Sequence, residues 1–394
     1  MRQPRTASGL TVAAVGALAL AVALIGGSHM PSASAASLRI PVAAAPAPQP
    51  IPTPQPSSIA VVRREDGRDA LWSIASAGGA ATKLIDLSFR PARMEASPDG
   101  SKLALLRSTG GPRVFVYDIA AGTLTGLSLA PRGVRQVDAF TWRSNRRLIV
   151  SGSRVATSKY ALNDRLYAVD VATGTSTWFR KLQGTEPSVA AQAPRLVYVR
   201  LTDAGPDPAQ RRTRLVNETL LSLQLVGGST PKVIARARYS DGFDIRAFRD
   251  PRVSPNGRAL ISSTTGSDVS ATYTVRAVAT GERLFSKDTQ LAGRDATAWD
   301  AQSGRVAFWG IALRAPQATR IYVYDLIVDQ LTAGQRHEDR TATGLSWAPD
   351  GSRLAYTLSA FGNAADLGRL WIVDPATPAA AQVQGAGGLP AWLP

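Results

Sequence analysis

A stretch near the C-terminal end, GLSWAPDGSRLAY at residues 344–356, constrains the fold more than any other, because weakened copies of it recur along the chain at a near-constant spacing. Leu345 and Trp347 alternate with small or polar residues, Pro349-Asp350-Gly351 supplies turn chemistry, and Leu354-Ala355-Tyr356 resumes an apolar run. Proline presets φ at the second position of a turn, aspartate bonds the backbone ahead of it, and glycine accepts φ > 0 where the chain reverses. The unit is therefore strand, tight turn, strand.

Aligning the turn of each copy gives Pro56, Gly100, Asn145, Ala193, Gly257, Gly304 and Gly351, at intervals of 44, 45, 48, 64, 47 and 47 residues. No 3.6-residue apolar period accompanies the repeat, so units of this length with four short strands each point to blades rather than to stacked helices. The fold expected is all-β, a seven-bladed β-propeller, with six or eight blades as the alternatives. The second unit shows the pattern best, with strands at residues 94–96, 103–107, 114–118 and 124–129 around the turns SPDG and AAGT. Asp118, Asp170, Asp325 and Asp374 all sit just before the third hairpin turn and read as turn braces rather than catalysts. The fourth unit is the long one, and residues 202–214 read as an insertion between its second and third strands.

The tail carries one more copy. LPAWLP at residues 389–394 matches LSWAP at 345–349 and then stops, while residues 57–62, SSIAVV, look like a second strand without its first. Pairing the two ends in one blade closes the ring and leaves no open edge.

SPDGSKLALL, SPNGRALIS and APDGSRLAY resemble the PD40 or TolB-like repeat, a propeller family related in shape to WD40 proteins. The resemblance covers residues 57–394 and implies a propeller module, whose functions range over binding scaffolds, lyases, lactonases and peptidase gates. Two features of such proteins are not matched: no α/β domain precedes the blades, and no G-x-S-x-G nucleophile elbow is present.

Before the blades, Arg2 and Arg5 precede an apolar run at residues 10–25, and Ala33-Ser34-Ala35 has the small-x-small form of a signal peptidase site. Residues 1–35 read as a signal peptide or an uncleaved signal anchor, and 36–56, with seven prolines from Pro41 to Pro56, as a disordered, proline-rich linker. The body at 57–394 is expected to be exported: secreted, periplasmic or associated with the cell envelope. It has no cysteine, which excludes thiol nucleophiles and zinc-thiolate sites, and its one histidine is His337. Net charge is +16, and the two arginines of residues 1–35, a segment without acids, account for only part of it, leaving +14 for the rest. Such a balance favours anionic partners, while the export signal disfavours nucleic acid.

Within a blade, the turns after strands one and three lie on one face and the loops after strands two and four on the other. The first set is tight here, and the second is long at residues 151–164, 202–214, 239–248, 311–319 and 361–368. Loops lengthen where they are used, so the candidates for ligand binding are Arg154, Lys159, Arg211, Arg212, Arg214, Asp241, Asp244, Arg246, Arg314, Arg336, His337 and Arg340, with the rings of Tyr160, Phe243 and Phe361 interleaved. The tight-turn face reads as quiet scaffold. His337 beside Glu338 and Asp339 is the one catalytic candidate, as a general base. Asp203 with Asp241 and Asp244 lacks the D-x-D-x-D-G form of a calcium loop, so no metal site and no cofactor are expected. The reading that follows is a monomeric, non-catalytic scaffold that engages an anionic envelope polymer or an acidic protein through its long-loop face. A membrane contact would come only through the N-terminal anchor. The alternative is a propeller enzyme, a lyase, lactonase or glycosidase-like protein acting on an acidic saccharide.

Overall fold

In six of the blades the four strands follow one another in sequence, each antiparallel to the last, and the blade order is the chain order. The structure, a computed structural model, describes residues 58–77, 80–107, 113–129, 132–154, 164–208, 214–227, 229–240, 246–265, 271–290, 297–312, 318–360, 368–375 and 377–393. The expected signal segment and linker lie outside them. Seven four-stranded sheets make a seven-bladed β-propeller, as the repeat predicts.

The exception to chain order is the first blade, ordered Gly388–Leu393, Ser58–Glu65, Arg68–Ala75, Thr82–Leu87. Ser58 pairs with Leu393, Ile59 with Trp392 and Ala60 with Ala391. The truncated C-terminal copy thus supplies the missing first strand, and the ring is closed by main-chain hydrogen bonds.

Second strands are buried on both sides, so they read as apolar runs rather than alternations. Leu103 to Leu106 in the second blade and Leu354 to Leu358 in the seventh are all buried. The core is accordingly a circle of interfaces: Ile149, Leu166 and Phe179 of blade three pack on Leu196, Tyr198, Leu221 and Leu223 of blade four, and equivalent clusters join the other neighbours.

The tight turns repeat in detail. Gly100, Gly257 and Gly351 have φ of 68°, 71° and 71°, and each amide donates to the carbonyl three residues back, at 2.8 Å. In blade six this position is held by Ser303, φ 64°, and not by Gly304, the residue the spacing selects. Ser303 accepts the cost of a left-handed backbone while its hydroxyl accepts the Asn256 amide of blade five at 2.9 Å. Three of the four expected aspartate braces are seen: Asp118 accepts Ala121 N at 3.0 Å, Asp170 accepts Ala172 N at 3.0 Å and Thr173 N at 3.1 Å, and Asp325 accepts Ile327 N at 2.8 Å.

Neighbouring blades are also stapled. The indole N–H of Trp142, Trp299 and Trp347 donates to Glu95 O, Arg252 O and Ala298 O of the preceding blade at 3.0, 2.8 and 3.0 Å. In the other direction Arg305 lies 4.9 Å over the Trp347 ring and donates to Gly351 O at 2.6 Å, and Arg353 lies 5.3 Å over Trp392 and donates to Ser76 O at 3.3 Å. The conspicuous tryptophan and arginine of the repeat are joints between blades.

Candidate functional site

Strand one of each blade lines the central channel and runs from the long-loop face toward the tight-turn face. Near the tight-turn end these strands enclose a cavity of about 390 Å³ whose polar lining includes Glu95, Thr141, Ser188, Arg252, Thr297 and Ser346. Arg252 of blade five reaches Glu95 of blade two at 3.6 Å and Asp250 at 3.2 Å. Glu95 also pairs with Arg93 at 3.1 Å and accepts Thr141 Oγ1 and Trp142 N at 3.2 Å each. The face expected to be quiet therefore holds a built cavity, with a charged bridge spanning the channel between two non-adjacent blades.

The long-loop face is only partly described. Lys159, Arg211, Arg212, Asp241, Asp244 and Arg314, with Tyr160, Phe243 and Phe361, lie outside the described residues. Arg246 opens strand one of blade five, Arg246–Val253. Arg154 is exposed and its Nε donates to Arg132 O at 3.2 Å. Arg214 grips Asp203 with two nitrogens, Nε at 3.1 Å and a closer terminal nitrogen. The Gly205 amide and this guanidinium hold the Asp203 carboxyl below the usual carboxylate range. Among the described residues no group of three or more acidic or histidine side chains is placed to hold a metal ion.

Residues 336–340 form less of a loop than the polar sequence suggests. Arg336, His337 and Glu338 end strand four of blade six, Gln330–Glu338, and Arg340 begins strand one of blade seven, Arg340–Trp347; Asp339, φ 51°, is the single residue between. Arg336 lies 3.8 Å from Glu338. His337 points the other way: it is 7% exposed, its Nε2 lies 3.1 Å from Tyr356 Oη, and its ring sits 4.9 Å from the Trp371 ring. Burial among these rings lowers its pKa, so the imidazole is held neutral. His337, named from the sequence as a binding and general-base candidate of the long-loop face, packs in the seam between blades six and seven.

The long fourth blade also differs from expectation. Strand two extends over Arg195–Pro206 and strand three begins at Arg214, so residues 202–206, expected in a loop, continue the sheet and leave only 207–213 between the strands. Beside this extension stand exposed cations that lie on regular strands and not in the loops. Arg200, Arg236 and Arg238 are exposed on one face of the blade, in register rows Arg200–Thr219–Arg236 and Thr202–Asn217–Arg238. Thr202, Asn217, Thr219, Arg236 and Arg238 line an open groove of about 440 Å³ on the long-loop half. The sign available in sequence was RAR at 236–238: two like residues spaced by one share a face of a strand.

No family model and no curated protein matches the sequence. Solved structures do match in shape. The likeness is one of fold. A provisionally assigned 6-phosphogluconolactonase from Bacteroides fragilis is 11% identical, with a TM-score of 0.51 over 87% of this chain and 99% of that one. TolB from Acinetobacter baumannii is 15% identical, with a TM-score of 0.45 over 86% and 67%. The Cps50 (Swd1) propeller domain from Myceliophteria thermophila is 13% identical, with a TM-score of 0.46 over 78% and 92%. Likeness at this level carries the propeller and not an activity.

Proposed function

We propose that this propeller is a non-catalytic, extracytoplasmic binding scaffold that engages an anionic partner through its long-loop half. The observation that supports it is the exposed arginine face of blade four, where Arg200, Arg236 and Arg238 stand together with no acidic side chain among the described side chains of that face. Guanidiniums held this way favour carboxylate or phosphate, and the cost of keeping like charges adjacent is relieved when an anion arrives. The extracytoplasmic setting rests on the signal-like residues 1–35 and the proline-rich stretch after them. His337 was the motive for the enzymatic alternative on an acidic saccharide, and its burial against Tyr356 and Trp371 gives that alternative no support.

The test is retention of the full chain on isolated cell envelope across a salt series. Retention that weakens steeply between low and physiological salt is the expected result, since exposed ion contacts are screened over roughly 10 Å at 0.1 M. Absence of retention, or retention indifferent to salt, overturns the proposal.

A further inference from the structure

The groove on blade four permits a narrower statement, which rests on the reading above. Along the face turned toward blade three, Leu196, Tyr198, Leu221 and Leu223 are covered by that blade. Its second strand ends at Ser153, whereas strands two to four of blade four, Arg195–Pro206, Arg214–Gln224 and Lys232–Ser240, run on. Beyond the covered part the same face continues as Arg200, Thr202, Asn217, Thr219, Arg236 and Arg238. With strands about 4.8 Å apart and same-face residues roughly 7 Å apart along a strand, the three guanidiniums span on the order of 10 Å.

Among the described residues the only carboxylate bordering the groove belongs to Glu218, and it serves another purpose. Its side chain is fully buried on the opposite face, accepting Ala247 N at 2.7 Å and Phe248 N at 3.3 Å from blade five. The Asp203 carboxylate is occupied by Arg214 and the Gly205 amide. Like charges this close oppose folding slightly, and nothing in the packing of the described residues uses these three.

The lining also says what kind of anion fits. Between and beside the arginines stand two hydroxyls and an amide; Ala237, the one apolar residue bordering the groove, is the register partner of Glu218 and turns its side chain to the opposite face. A protein partner usually anchors through aromatic or aliphatic side chains seated in a pocket, and this groove has no such pocket. We infer that the groove is a binding site for a hydroxyl-rich polyanion, a chain of sugar or polyol units bearing carboxylate or phosphate. The arginines take successive anionic groups, and Thr202, Asn217 and Thr219 take the hydroxyls.

The experiment measures anisotropy of three labelled polymers with the full chain: polygalacturonate for the carboxylate form, poly(glycerol phosphate) for the phosphate form, and poly-L-glutamate for an acidic protein segment. At least one of the first two should bind more tightly than poly-L-glutamate. Each of R200A, R236A and R238A should weaken that binding about tenfold, and the triple variant should flatten the salt dependence by roughly one unit of log–log slope per arginine removed. The triple lysine variant, which keeps charge and loses the fork, should fall between. Unchanged binding in a folded triple alanine variant overturns the groove while leaving an anionic partner elsewhere on the face. Tighter binding of poly-L-glutamate through the same arginines overturns the ligand class. Failure of all three polymers, together with salt-indifferent behaviour on cell envelope, overturns both this site and the reading beneath it.

Discussion

The two halves of the ring use arginine in opposite ways. On the tight-turn side, Arg305 and Arg353 each lie over a tryptophan of the next blade and donate to a carbonyl there, and Arg180 of blade three donates to Gln224 O, Leu225 O and Gly227 O of blade four at 3.1, 2.7 and 3.1 Å. On the long-loop side of blade four, Arg200, Arg236 and Arg238 are exposed, and among the described residues none of them hydrogen-bonds another blade. Net charge therefore overstates the cation available to a partner. Part of it is mortar between blades, and on blade four three exposed arginines stand together on neighbouring strands.

That contrast is open to direct attack. The largest effect is expected from Trp347→Ala, which removes a buried ring, its bond to Ala298 O and the surface on which Arg305 rests; urea unfolding should show a loss of about 3–5 kcal/mol. Arg180→Ala removes the donor of three blade-four carbonyls, two of which water can reach, and should cost about 1 kcal/mol by the same measurement. If that variant instead matches the native protein, arginine on the tight-turn side is not structural and the comparison fails.

A smaller, pH-dependent effect is expected at His337. Because burial depresses its folded pKa, the neutral ring contributes stability that is fully present above the unfolded value of about 6.5 and is lost as pH falls from there toward the lower folded value. His337→Gln should flatten the decline in melting temperature below pH 6.5, and an unaltered decline would mean that acid acts elsewhere. The smallest effect on stability belongs to the blade-four triple R200A/R236A/R238A, expected within about 0.5 kcal/mol of the native protein.

Much of this architecture is legible in the sequence because it is periodic. One motif counts the blades, and its truncated copy at residues 389–394 announces that the two ends share a sheet. Aspartates ahead of the third turns are equally plain, since the bonds they make are local. What was misread depends on the neighbouring blade. Ser303 takes the left-handed turn position beside a glycine that seemed the natural choice, because its hydroxyl serves the turn of blade five. His337 sits in a polar run, yet Tyr356 and Trp371 from the adjacent blade cover it. The blade-four arginines carry no loop signature because they stand on regular strands, and the length of those strands shows only when blade three is laid against them. The channel bridge from Arg252 to Glu95 joins residues far apart in sequence and has no local signature.

The closure of the ring has a mechanical side. Ser58 and Leu393 are partners at the tight-turn end of an antiparallel pair, and Ser58–Glu65 is bonded on both sides, to Gly388–Leu393 and to Arg68–Ala75. Tension that separates the two ends from each other opens this pair like a zip, one hydrogen bond at a time. Tension between Ser58 and a ligand held in the long-loop half draws the strand along its own axis, and hydrogen bonds that lie across that axis on both flanks share the load in shear. A propeller tethered through its N-terminal side and loaded by a polymer would meet force along its stiff direction.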